Sequence, residues 1–172
     1  GLRCQGVQSY LSRAEGKDTQ PAVFMDSSGR TFSCDAPGLP SARSQGEPLT
    51  GRFSIVGGES FQHVIMAQDE SKFLVGSDAG YGFVGTFKDM VSKNKAGKAY
   101  LSLPTAAKVM KPTPVTSPDS DGCLSISNEG RMLMFPLRGL QRVGKGKGNK
   151  LTNIPSAKSQ SRQEYWKVVA VV

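Results

Sequence analysis

Three segments of the chain line up at a period of about fifty residues, and this period restricts the fold more than any other feature of the sequence. They are AVFMDSSGRTFSCDAPGLPSARSQGEPLTGRFSI (22–55), KFLVGSDAGYGFVGTFKDMVSKNKAGKAYLSLP (72–104) and CLSISNEGRMLMFPLRGLQRVGKGKGNKLTNIP (123–155). Each opens on a short apolar strand and turns at a glycine: Gly29, Gly80 and Gly130, separated by 51 and 50 residues. Small polar and acidic residues precede each glycine, as a hairpin turn with a residue at positive φ requires.

A second alternating strand follows each turn (TFSC, GFVGTF, MLMFPL), then a polar loop (SARSQGEPLTG, SKNKAGK, QRVGKGKGNK), then a short closing strand (RFSI, AYLSL, KLTNI). One more apolar run lies outside each of these units: VQSYLS (7–12), FQHVIMA (61–67), AAKVMK (106–111) and YWKVVAVV (165–172). Four short antiparallel strands per repeat describe an all-β, propeller-like protein of about three to four blades. The approximate repeats run over 7–55, 56–103 and 104–154, with a further one starting at 155–172. Together, residues 1–172 form one unit without a linker. Alternating apolar residues rich in Val, Ile, Phe and Tyr disfavour helical repeats. The stretch TFKDMVSKNKAG (86–97) alone suits a helical turn, but its counterparts contain Pro40 and Gly139, which predicts a loop. Lys111–Gly122 and Ser156–Gln163 read as the least structured segments.

Charge narrows the function. Residues 1–92 hold 8 Lys and Arg against 10 Asp and Glu, whereas residues 93–172 hold 14 against 4. A basic excess gathered in one half points to a polyanionic partner. No apolar run is long enough for a membrane span, and Gly1–Tyr10 lacks a signal-peptide pattern, which predicts a soluble, cytosolic chain. Cys4, Cys34 and Cys123 are an odd, scattered set, which argues against a disulfide framework, and His63 is the lone imidazole, which argues against zinc.

Two nucleotide motifs are decoys. Gly139–Gly146 (GLQRVGKG) follows a phosphate-binding loop pattern until its last position, where Gly146 replaces the Mg²⁺-holding Ser or Thr. A strand, not a helix, is expected after it. The stretch GYGFVG (80–85) matches a dinucleotide fingerprint, but only Gly80 recurs between repeats, whereas Gly82 and Gly85 align with Thr31 and Cys34. It reads as a hairpin turn with a bulge. Asp69, Glu70 and Asp119–Asp121 fall in turns and form no catalytic set. His63 lies in an apolar strand and is expected to pack. Tyr10, Tyr81, Tyr100 and Tyr165 lie in or beside strands, so packing is their expected role. Trp166 anchors a blade, or marks an exposed edge if its strand is unpaired.

The basic loops carry the functional signal. Arg43, then Lys93, Lys95 and Lys98, then Arg142, Lys145, Lys147 and Lys150 take corresponding places in the three repeats. Adjacent blades would place them in a stripe able to follow a phosphate backbone, with interleaved glycines allowing close approach. No base-reading helix accompanies them, so shape and charge would govern binding. A scaffold for an acidic protein would also present a basic rim. A propeller enzyme would need clustered acids or a metal, which the sequence does not offer.

The stretches Gln20–Gly51, Ser77–Phe87, Asn94–Lys98, Gly130–Pro136 and Gly144–Pro155 together resemble the C-terminal domains of the A subunits of bacterial type IIA topoisomerases, with topoisomerase IV a nearer match than gyrase. The resemblance covers nearly the whole chain. It implies a β-pinwheel, in which four-stranded antiparallel blades lend strands to their neighbours, as a piece of a five- or six-bladed domain. It also implies noncatalytic binding and bending of double-stranded DNA on a basic outer rim. Cofactors of the parent enzyme, ATP and Mg²⁺, and the DNA-cleaving tyrosine would belong to other domains or subunits. The parent would be a homodimer assembled with an ATPase B subunit, cytoplasmic and nucleoid-associated, with the inner face of the membrane as a further location. The gyrase box, Q-R-R-G-G-[KR]-G, is degenerate here: Gln141-Arg142-Val143-Gly144-Lys145-Gly146 has Val in place of the second Arg. That departure puts strong chiral wrapping in doubt and leaves ordinary DNA binding intact.

Overall fold

The structure, a computed structural model, describes residues 21–35, 51–55 and 57–172. Its strands form three antiparallel sheets, each built around one of the predicted hairpins. In the first, β1 (Pro21–Asp26) pairs with β2 (Arg30–Asp35), and β3 (Phe61–Ile65) lies on the far side of β1. In the second, β4 (Lys72–Gly76) pairs with β5 (Tyr81–Thr86) in continuous register, without the expected bulge. The two-residue β6 (Lys98–Ala99) adds to β2 of the first sheet, so the second repeat completes the first blade. The second sheet is finished by β7 (Thr113–Val115) beside β4 and by β10 (Asn149–Lys150) beside β5, again lent by the following repeat. In the third, β8 (Gly122–Ser127) lies between β9 (Met132–Pro136) and β11 (Trp166–Val171). The first two are four-stranded blades completed by lent strands and the third has three strands, the architecture of a β-pinwheel.

The three turns share one main-chain geometry. Gly29, Gly80 and Gly130 have φ of 85°, 89° and 79°, and their N–H groups donate to Asp26, Ser77 and Ser127 three residues back. At Gly29 and Gly80 a second constraint applies, because a Cβ would lie 2.2 Å from the Leu101 carbonyl oxygen and 2.4 Å from Thr152 Oγ1. Both contacts come from the segment that continues a lent strand. A further element escaped the sequence: the residue after each turn start ties its hairpin to the incoming run. The side-chain oxygens of Ser27, Asp78 and Asn128 accept the N–H groups of Ser60, Lys108 and Tyr165 at 3.0, 2.9 and 2.9 Å. Their own N–H groups donate back to the same three residues. A reciprocal pair of this kind contributes at most about 1 kcal/mol per bond at these exposed or partly buried positions and fixes register.

Alternation within the strands places apolar residues on both faces of a sheet; neighbouring blades cover the faces turned toward each other, whereas Met132, Leu133 and Met134 of β9 stay exposed. Val23, Met25 and Ile65 of the first blade meet Phe73, Val75, Phe83 and Tyr100 of the second repeat. From the opposite face of β1, Phe24 joins Phe32, Phe53 and Phe61, with ring centroids 5.3–6.1 Å apart. Leu74, Val115, Cys123 and Leu137 fill the space between the second and third blades. Trp166 is buried, stacks on Phe135 at 6.2 Å and lies in a paired strand. Glu164, fully buried, is held by two nitrogens of Arg131, joining the third hairpin to the segment before β11.

Several local expectations change. Arg52–Ile55 form no strand; Phe53 enters the aromatic cluster from a turn. In AAKVMK only Val109 makes a bridge, to Ser77, and the strand forms later, inside Lys111–Gly122. Phe87–Met90 is a helical turn, α1, because Phe87 and Met90 are both fully buried on one side of it. Fifty residues on, Leu137–Gly139 makes a 3-10 turn that likewise buries Leu137. Ser156–Gln160 forms a second short helix, α2.

Candidate nucleic-acid interface

The two described basic loops are built alike. Each leaves a helical turn, passes along the outer strand of the preceding blade's hairpin and ends in the lent strand. In the first, the Ser92 N–H donates to Ser33 Oγ at 2.9 Å, the Ser54 N–H to the Lys95 carbonyl at 2.9 Å, and Arg30 Nε to the Ala96 carbonyl at 2.8 Å. Residues of the first blade therefore hold a loop that belongs to the second repeat. Gly97 has φ of 74°, and a Cβ there would meet the Thr31 carbonyl oxygen at 2.7 Å. In the second loop, the Val84 N–H donates to the Gln141 carbonyl at 3.0 Å, and Asn149 and Lys150 pair with Gly82 and Tyr81. Gly148, at φ 81°, would place a Cβ 2.1 Å from the Gly82 carbonyl oxygen. These two loop glycines serve the close passage of a strand along its neighbour.

The cations of these loops differ in their freedom. Lys93, Lys95, Lys145, Lys147 and Lys150 are exposed. Lys147 Nζ lies 4.3 Å above the Tyr81 ring, a cation–π contact that orients it without neutralising it. Lys98 is half-buried, and its Nζ donates to the Asp89 carbonyl at 2.5 Å. Arg142 is exposed but paired with Asp119 at 2.5 Å. Arg43 lies outside the described residues, as does Tyr10. The second loop touches the segment that directly follows the first: the Gly146 N–H donates to the Tyr100 carbonyl, and the Ser102 N–H to the Gly146 carbonyl, both at 2.9 Å.

Burial, and then the Asp89 charge, push the Tyr100 hydroxyl well above its ordinary value, and burial raises the Cys123 thiol to about 11. His63 is shifted down by burial, aided by Lys111 and opposed by a hydrogen bond with the Val109 main chain. Among the described residues, no three His, Cys, Asp or Glu side chains are placed to hold a metal ion, and no helix is long and apolar enough to cross a membrane. Sequence reasoning missed the supports, Arg30, Ser33 and Ser54, because no motif marks a residue that holds another repeat's loop.

Comparison with known proteins decides the family. Over 159 residues the chain is 50% identical to the A subunit of DNA topoisomerase 4 from Escherichia coli K12, a match covering 92% of this chain. It is 45% identical over all 172 residues to the corresponding protein of Pseudomonas aeruginosa. The chain belongs to the topoisomerase IV A-subunit family. It spans only 21–23% of the length of those relatives. The solved E. coli ParC C-terminal domain superposes with a TM-score of 0.88 at 48% identity, over 91% of this chain and 64% of that one. The DNA gyrase A C-terminal domain shares the fold, with a TM-score of 0.66 at 16% identity, over 91% of this chain and 52% of that one. No protein-family model matches the chain.

Proposed function

We propose that this chain is a noncatalytic DNA-binding and DNA-bending domain of a type IIA topoisomerase A subunit. It holds duplex DNA on a basic outer rim during strand passage, the step behind decatenation and supercoil relaxation. One observation carries this reading: across a blade boundary, the exposed basic loop around Gly146 bonds to Tyr100 and Ser102, the segment into which the other exposed basic loop runs at Lys98, so that the end of one loop lies beside the other. Side by side, they offer a surface for consecutive phosphates, whereas separate loops would offer only isolated charges. Catalysis, with ATP and Mg²⁺, belongs to the rest of an A-subunit homodimer and its B subunit, in the cytoplasm at the nucleoid. Binding is by shape and charge, with little sequence preference. A gel shift with a linear duplex at physiological salt, challenged by an unrelated duplex and by an acidic protein, tests this. A complex competed equally by both duplexes is expected. No complex with DNA, together with capture of the acidic protein, would replace this reading with a protein scaffold.

A further inference from the structure

The segment 142–150 is fixed to the second blade at both ends. Arg142 bridges Val84 near its start, and Asn149 and Lys150 pair with Gly82 and Tyr81 at its end. Its middle is not on that blade. Gly146 forms a parallel bridge with Leu101, which continues the strand lent to the first blade and donates its own N–H to the Gly29 carbonyl at 3.0 Å. The loop thus straddles two blades, with Gly146 where it touches down. Gly146 has φ of 131°, and a Cβ there would meet nothing within 4 Å. Space does not demand the glycine; the direction of the main chain does, since few L-residues adopt that φ. The exposed Lys145 and Lys147 flank it, and Lys95 and Lys98 lie on the loop that ends in the strand it grips.

We propose that Gly146 is a positioning residue: its main chain fastens the basic loop of one blade to the strand lent to the other. The joint fixes the spacing of the two lysine groups and so the curvature imposed on a bound duplex. This rests on the DNA-binding reading and adds how neighbouring blades act as one surface. Rigid joints matter here because a bent duplex must be matched by charges already in place. A loose pair of loops would contact the same phosphates but would have to be ordered during binding.

The test separates charge from spacing. In the 172-residue chain, Gly146→Ala forces an unfavourable φ, and Ser102→Pro removes the donor to the Gly146 carbonyl. Neither alters a charge. With a doubly labelled short duplex, both variants should bind about tenfold more weakly and bend DNA less by energy transfer. Their salt dependence should stay that of the unaltered chain, because the same cations remain. Gly57→Ala, outside both loops and at a position that needs no positive φ, should behave as the unaltered chain does. Folded variants that bend the duplex fully would overturn the joint. Amide exchange of the unaltered chain gives a second reading that needs no variant: Gly146 and Ser102 should exchange slowly. Exchange as fast as at the exposed Ala96 would overturn the joint whatever the DNA does. If the unaltered chain neither binds nor bends DNA while these amides are protected, the DNA-binding reading fails and the curvature role falls with it.

Discussion

Replacing Lys145, Lys147 and Lys150 with glutamine removes three of the five exposed loop lysines, Lys93 and Lys95 being the others. Lys98 and Arg142 enter the sum only weakly, since one donates to a carbonyl and the other is paired with Asp119. Each phosphate neutralised contributes about 0.9 to the slope of log affinity against log salt, so five contacts give about −4.5. Between about 50 and 200 mM salt, that slope amounts to a loss of roughly 500-fold. The triple variant keeps two contacts, a slope of about −1.8 and a loss of about 12-fold. The cation–π contact of Lys147 with Tyr81 is worth about 0.5–1 kcal/mol at an exposed site, too little for its loss to unfold the blade. Fluorescence anisotropy of a labelled duplex, repeated across salt concentrations, measures both slopes, and circular dichroism checks the fold. Lys88→Gln is the control, because Lys88 is paired with Glu70 at 2.9 Å and lies outside the loops. A slope shallower than about −2 in the unaltered chain, or equal slopes in the chain and its triple variant, would refute the electrostatic account.

Three further outcomes follow from the geometry. Gly97→Ala forces a Cβ to 2.7 Å from the Thr31 carbonyl oxygen and 2.8 Å from Phe32 Cε1, at φ 74°. Adding strain to overpacking, the expected cost is about 3 kcal/mol, or a melting temperature about 6–12 °C lower by calorimetry. Asp119→Asn releases the Arg142 guanidinium, and an exposed pair of this kind is worth up to about 1 kcal/mol. DNA affinity should therefore rise up to about fivefold and the slope steepen by about 0.9, whereas no change would place Arg142 away from the duplex. His63 titrates at lower pH in the fold than in the unfolded chain. Both states are neutral above the unfolded value near 6.5; as pH falls below it, the unfolded state takes up the proton first and stability declines until the folded value is passed. His63→Gln should flatten that part of the denaturation profile, and an unchanged profile would show that His63 contributes nothing to it.

The hairpins were legible because a turn at positive φ permits few residues other than glycine, and the demand recurs three times at Gly29, Gly80 and Gly130. The lent strands were harder to read. Lys98–Ala99 and Asn149–Lys150 have two residues each, too short for alternation to show a face or a partner. Alternation also misled at Arg52–Ile55, where Phe53 is buried through a turn and not through a ladder. At Phe87–Met90 the aligned Gly139 argued for a loop, yet the structure has a helical turn in both repeats, one turn being short enough to end on a glycine. For the site, the lysines were visible as charge, but their unequal freedom was not. Asp119 is distant in sequence from Arg142, and the carbonyl held by Lys98 leaves no trace in a side-chain pattern. The loop glycines were read as room for a DNA backbone, whereas Gly97 and Gly148 make room for the chain's own neighbouring strand.

That difference links the fold to the placement of charge. A repeat that closes its own blade could keep its polar loop on its own edge, and successive loops would be one blade apart. Here the closing strand crosses to the preceding blade, so the loop before it must cross as well. Gly97 and Gly148 allow the crossing, and Arg30, Ser33 and Ser54 receive one loop at the far side. Because each loop ends on the previous blade, the next loop can reach the segment that follows it, and Gly146 makes that contact with Leu101. Strand lending therefore does two things at once: it completes each sheet and brings one basic loop onto the segment that directly follows the other. The exposed Lys93, Lys95, Lys145 and Lys147 lie on these crossing loops, so the same crossings that complete the sheets also set where the charge falls.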